Sequence, residues 1–181
     1  MWAKRITHLA KDRDTTTRCL GLRLMGAMHS TPSGRPSLKL GKAWGKSIRP
    51  LELLPALRRV FSVGGELCRT ALAHFRDSLH QLLQVLEAQP HWQLISSSLL
   101  FVFEAEGASK PQMRMIDFAH SYRLEHCAKD YGYLFGVRNL HAMFEALLQP
   151  DSPPPEAQHV QFWPTAPPKT ASPPSGGPGA G

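Results

Sequence analysis

The stretch Ser97–His120, SSLLFVFEAEGASKPQMRMIDFAH, decides how this chain is read. Ser97 to Glu104 is rich in β-formers, and Gln112 to Phe118 alternates apolar with polar residues, the period of a half-buried strand. The seven residues AEGASKP join the two segments, a length suited to an antiparallel hairpin. The second strand runs out into Asp117, followed by an aromatic, a small residue and His120. A carboxylate fixed at the end of a rigid strand meets the demand of Mg2+ for hard oxygen ligands at little ordering cost. An aspartate that simply caps the turn after its strand gives the same pattern.

Helices flank this hairpin. Between Glu66 and Ala88, Leu72, Phe75, Leu79, Leu82, Leu83 and Leu86 recur at three- and four-residue steps and predict one long helix with an apolar stripe. Gly64-Gly65 precedes it and Pro90 ends it. On the other side, Tyr133, Val137, Leu140, Phe144 and Leu147 predict a core-facing helix from Tyr133 to Leu148. A short helix is expected from Leu51 to Phe61, because Pro55 is tolerated only near a helix start. From Thr17 to Met28, Leu20, Leu22 and Leu24 alternate with Cys19, Gly21 and Arg23, which predicts a half-buried strand. HSTPSGRPS then turns the chain, and LKLGKAWGKSIRP places basic residues around Trp44 and includes a further short strand.

The 181 residues suffice for one domain with its own core. Ten of the 16 prolines lie from Pro150 onward, which divides the chain into a domain over 1–149 and a tail over 150–181. The tail cannot bury enough apolar surface to offset chain entropy and is expected to be disordered. It contains PTAP, Pro164 to Pro167, similar to a late-domain peptide, and its proline content suits SH3-, WW- or UEV-type partner domains. No apolar run has the length of a membrane span, and MWAKRITHLAKDRD lacks the apolar segment of a secretory signal, so a soluble protein is expected. Three widely spaced cysteines make a poor disulfide framework and fit a reducing compartment. Cys127 beside His126 and near His120 suggests a metal cluster, but no second close pair supports it, and the thiols read as small packing groups.

Charge is uneven. Up to Phe61 there are 13 Lys+Arg against 3 Asp+Glu, a balance of +10, whereas the remainder carries −3. Such a basic half concentrates polyanions, whether phosphorylated small molecules, anionic lipid or nucleic acid, without a motif specific for nucleic acid.

Three motifs taken together carry a resemblance. Ser97-Ser98-Leu99-Leu100, then Ile116-Asp117-Phe118-Ala119-His120, then Gly132-Tyr133-Leu134-Phe135-Gly136 to Leu140 follow the order found in the inositol polyphosphate kinase family. TTTRCLGLRLMGAM and KAWGKSI resemble two upstream segments of the same family, so the likeness runs from about Thr15 to Leu148. The multikinase and hexakisphosphate kinase branches look nearest; the trisphosphate 3-kinases carry I-D-F-G-K instead. The resemblance implies an α+β fold, the C-terminal lobe of such a kinase, with an antiparallel sheet and packed helices. It implies ATP and Mg2+ as cofactors, an inositol polyphosphate as substrate, and a cytoplasmic and nuclear protein. It implies Asp117 as the magnesium ligand that also binds the nucleotide phosphates, and His120 and Lys46 as contacts to the substrate. Lys46 stands where the family usually has Arg, which keeps the charge and loses the bidentate fork. Each residue has a plainer alternative: a turn cap for Asp117, a hydrogen-bonded surface histidine for His120, a solvated lysine for Lys46. The family's P-x-x-x-D-x-K-x-G motif is absent from the sequence, as is an N-terminal lobe with a nucleotide-contacting lysine. The expectation is therefore a truncated form, inactive or nearly so by itself.

Overall fold

The computed structural model describes residues 15–89, 91–105, 109–124 and 129–150. Residues 151–181 of the expected tail, with the PTAP segment, and the His126–Cys127 pair lie outside the described residues. The helices are α1 (Thr16–Leu20), α2 (Lys42–Ser47), α3 (Leu53–Val60), α4 (Arg69–Ala88) and α5 (Tyr131–Leu148). The strands form antiparallel pairs: β1 (Ala27–Ser30) with β2 (Pro36–Leu40), β3 (Ser62–Val63) with β4 (Glu66–Leu67), β5 (Trp92–Leu94) with β8 (Ser121–Arg123), and β6 (Ser98–Val102) with β7 (Gln112–Ile116). The architecture is α+β, as expected, with the sheet divided into four two-stranded ribbons among the described residues.

The core lies between α4 and α5 and under the β6–β7 hairpin. Leu72, Phe75 and Leu79 of the α4 stripe are fully buried, and Val137, Leu140, Phe144 and Leu147 of α5 face them from the other helix. The two helices run antiparallel. Arg69, at the start of α4, donates to the Leu148 carbonyl at the end of α5 (3.0 Å), and Glu87, near the end of α4, pairs with Arg138 (2.7 Å). The Glu87 carboxyl sits below its ordinary pKa because Arg138 hydrogen-bonds to it. This contact is exposed, so it orients the helices more than it stabilises them.

Thr17–Met28 corrects the expectation of one strand. Thr16–Leu20 is a short helix ended by Gly21 in the left-handed region (φ 72°), and only Ala27–Ser30 joins a strand ladder. The alternating leucines are accommodated differently: Leu20 is buried, and Leu22 and Leu24 pack against the core from a non-ladder segment. Docking on α5 explains this. A Cβ on Gly21 would come within 2.7 Å of the Gly136 nitrogen, so two glycine backbones lie in contact. Beside them, the buried Asn139 Nδ2 donates to the Leu20 carbonyl (2.9 Å), and Thr16 Oγ1 donates to the Leu22 carbonyl (2.7 Å). Cys19 and Cys68 are free and partly buried, and burial pushes both thiols up, in keeping with packing groups. Asn139→Ala should cost about 1–3 kcal/mol, because the Leu20 carbonyl is left buried without its donor. Gly136→Ala should destabilise by a similar or larger amount, since its Cβ would meet the Gly21 carbonyl. Urea unfolding of both variants at unchanged slope checks this.

Candidate functional site

The hairpin has two chemically different faces. Leu99, Phe101 and Met113 point inward and pack on the core. The pairing Ser98↔Ile116, Leu100↔Arg114 and Val102↔Gln112 puts the alternate residues on the outer face. There Leu100 (45%), Val102 (54%), Ile116 (37%) and, just beyond, Phe118 (51%) are exposed. An apolar face of this size ends directly at Asp117.

Asp117 adopts φ 64°, ψ 56°, a left-handed conformation that aspartate tolerates better than most residues but not without cost. It opens the 3-10 turn Phe118–His120. Its side chain is exposed, makes no capping hydrogen bond, and joins none of the ion pairs among the described residues. The turn-cap alternative therefore does not describe it. Ser96 is the other non-glycine residue with positive φ (61°) among the described residues, and next to it the Ile95 N–H donates to the His120 carbonyl (3.2 Å). The entry to β6 and the exit from β7 are thus pinned together.

His120 is half-buried and runs straight into β8, whose register is Leu94↔Ser121, Gln93↔Tyr122 and Trp92↔Arg123. The structure therefore brings Asp117 and His120 onto one turn. Lys46 is exposed at the end of α2 and, among the described residues, shares no hydrogen bond or ion pair with either residue. Its helix is held because Gly45 is buried directly against the Leu24 carbonyl, where a side chain would not fit. Arg35, Lys39, Lys42 and Arg49 are exposed near it in sequence, so the basic region presents several cations to solvent.

Asp130 was not singled out in the sequence, yet it fixes the site from behind. Oδ1 accepts from the Tyr133 N–H (3.0 Å), capping α5, while Oδ2 accepts from the Leu94 N–H (2.8 Å) in β5. One carboxylate thus ties the last helix to the ribbon that carries His120. Its sequence signal was an Asp immediately before the periodic helix residues. Burial raises the Tyr133 phenol above its ordinary pKa, while the neighbouring Ser97 hydroxyl opposes the rise.

The site suits a hard cation. Mg2+ is bound by one or two carboxylates, with phosphate and water oxygens completing the shell. A lone exposed carboxylate on a pinned strand end fits that role, and no three His, Cys, Asp or Glu side chains converge among the described residues.

The model of the inositol polyphosphate kinase family matches residues 2–145. This chain belongs to that family. Among its relatives, human inositol hexakisphosphate kinase 3 is 28% identical over 169 residues, covering 76% of this chain and 41% of the relative. The inositol polyphosphate multikinase of Schizosaccharomyces pombe is 29% identical over 147 residues, covering 77% of this chain and 54% of the relative. The chain thus spans about half or less of the length of these relatives. An inositol phosphate multikinase structure superposes with a TM-score of 0.68 at 22% identity, over 77% of this chain and 68% of that one. The S. cerevisiae multikinase Ipk2, in complex with ADP and Mn2+, gives 0.69 at 20% identity, over 82% and 72%. At these identities the superpositions establish a shared fold.

Asp117→Asn should leave the unfolding free energy within about 0.5 kcal/mol of the parent, because the side chain is exposed and Asn also tolerates this backbone. Asp117→Val should lose about 1–2 kcal/mol to backbone strain alone. Asp130→Ala should lose about 1–2 kcal/mol through the missing cap. Denaturant titrations of the three variants distinguish these costs.

Proposed function

We propose that this chain is the part of an ATP-dependent inositol polyphosphate kinase that holds the metal and the phosphorylated substrate. The observation that carries the reading is the exposed, unpaired Asp117 carboxylate set at the edge of the apolar outer face of the hairpin. A nucleotide requires both: an apolar surface for its base and a metal-bearing carboxylate for its phosphates. Asp117 would hold Mg2+, which would supply charge neutralisation for the phosphates in γ-phosphoryl transfer. Asp117 holds the metal; His120, three residues on, faces the inositol phosphate; Lys46 and its neighbouring cations draw in the polyanion. The names of the relatives, hexakisphosphate kinase and multikinase, support the substrate class.

Transfer depends on positioning two phosphorylated molecules at once and on several charges acting together. The sequence has no P-x-x-x-D-x-K-x-G motif, so these 181 residues alone transfer phosphate poorly or not at all. For the tail, its proline-rich composition supports docking of SH3-, WW- or UEV-type domains.

Calorimetry of the purified chain with an inositol polyphosphate and, separately, with ADP and Mn2+ tests the reading. The inositol polyphosphate should bind in a salt-sensitive manner, weakened in Lys46→Ala and His120→Ala. Any nucleotide binding should require the metal and disappear in Asp117→Asn. Metal-dependent binding that survives Asp117→Asn contradicts the assignment. Binding of the inositol phosphate without any nucleotide binding favours a non-catalytic polyanion module. Turnover at about 1–100 s⁻¹, usual for kinases, would overturn the inactivity of the isolated chain.

A further inference from the structure

The antiparallel seam between α4 and α5 carries two histidines that the site above does not use. His80 on α4 and His141 on α5 bring their ring centroids to 5.9 Å, with the planes inclined by 43°. Two imidazoles sharing one metal, at metal–nitrogen distances of about 2.0–2.1 Å, have centroids roughly 5 to 6.5 Å apart. The separation of the two rings falls within that range.

Each ring also has a polar partner one turn along its own helix. His141 Nδ1 faces Glu145 Oε2 at 3.6 Å, and His80 Nε2 lies 3.3 Å from the Gln84 amide. A carboxylate or amide oxygen that accepts from one ring nitrogen fixes the tautomer and leaves the other nitrogen's lone pair for a metal, with the Gln84 amide turned to present its oxygen. His80 is exposed and the His141 side chain keeps 17% of its accessibility, so an ion reaches both without opening the fold.

We propose that His80 and His141 form a two-histidine clamp across α4 and α5 for a divalent cation of the zinc, copper or nickel class. Gln84 lies within hydrogen-bond distance of the His80 ring, and the Glu145 carboxylate stands beside the His141 ring, close enough to take its Nδ1–H after a small rotation. With two protein ligands and water in the remaining positions, affinity is lower than in three- or four-ligand sites. Imidazole suits these cations and not Mg2+, so the clamp is chemically separate from Asp117. Because it joins the two helices that support the hairpin, a bound ion also stabilises the native state by mass action.

The test is calorimetric titration of the full, chelator-stripped chain with zinc chloride at neutral pH, in parallel with His80→Gln, His141→Gln and, as a control, His91→Gln. Glutamine keeps the helix propensity, and metal-free melting temperatures equal to that of the parent show that the variants are folded. Zinc affinity should fall by about tenfold or more in both seam variants, stay unchanged in His91→Gln, and be indifferent to excess Mg2+. Zinc should raise the melting temperature of the parent and not of the seam variants. Absence of zinc binding, equal binding in the parent and both seam variants (an adventitious ion only), or loss in just one of them would each overturn the clamp.

Discussion

Phe61 is the contact on which the rest of the structure depends. Its buried ring meets Phe75 of α4 (5.9 Å), Phe101 of β6 (5.8 Å), Phe103 just after β6 (5.6 Å) and Phe144 of α5 (5.1 Å). One side chain at the end of α3 therefore couples both long helices to the inner face of the hairpin. Aromatic rings at these separations add specific geometry to a large burial term. His29 extends the coupling to β1: its Nε2 donates to the Val60 carbonyl (2.7 Å) and its ring meets Phe103 edge-on. The position of Asp117 is inherited from this cluster, because β7 is held in register by β6, and β6 by the phenylalanines.

Strain at the site has a consistent placement. Among the described residues, the two non-glycine residues with positive φ, Ser96 and Asp117, lie at the same end of the hairpin, where the chain enters β6 and leaves β7. Such conformations cost about 1–3 kcal/mol each and persist only where the surroundings over-determine them. Here the surroundings are the hairpin ladder, the Ile95–His120 hydrogen bond and the β5–β8 ribbon clamped by Asp130. The result is a carboxylate aimed at solvent beside an apolar face, not one folded back onto its own turn.

Much of this was legible in the sequence because the strongest signals are local. The stripes of α4 and α5 and the alternation across Gln112–Ile116 follow from periodicity, Ser98–Val102 follows from its β-formers, and Asp117 and His120 stand out through the five-residue motif Ile116–His120 and its family likeness. What periodicity hid depends on tertiary contact. Thr16–Leu20 is a helix because Gly21 and Leu20 dock on Gly136 and Asn139, a contact 115 to 119 residues away in sequence. The β5–β8 ribbon is three residues deep on each side, too short for a pattern, and depends on the hydrogen bond that the Leu94 N–H donates to Asp130. Lys46 is grouped with Asp117 by family likeness alone, and no ion pair joins the two among the described residues.

The central claim, that Asp117 is the metal ligand of a nucleotide-phosphate site on the outer face of the hairpin, is tested most directly by NMR. Mn2+ added with ADP to the isotopically labelled chain broadens amide signals according to their distance from the ion. Broadening should appear first at Ile116–His120 and along the outer hairpin residues, leave the far ends of α4 and α5 sharp, and vanish in Asp117→Asn. Broadening centred on any other part of the chain, with Asp117–His120 left sharp, would contradict the account.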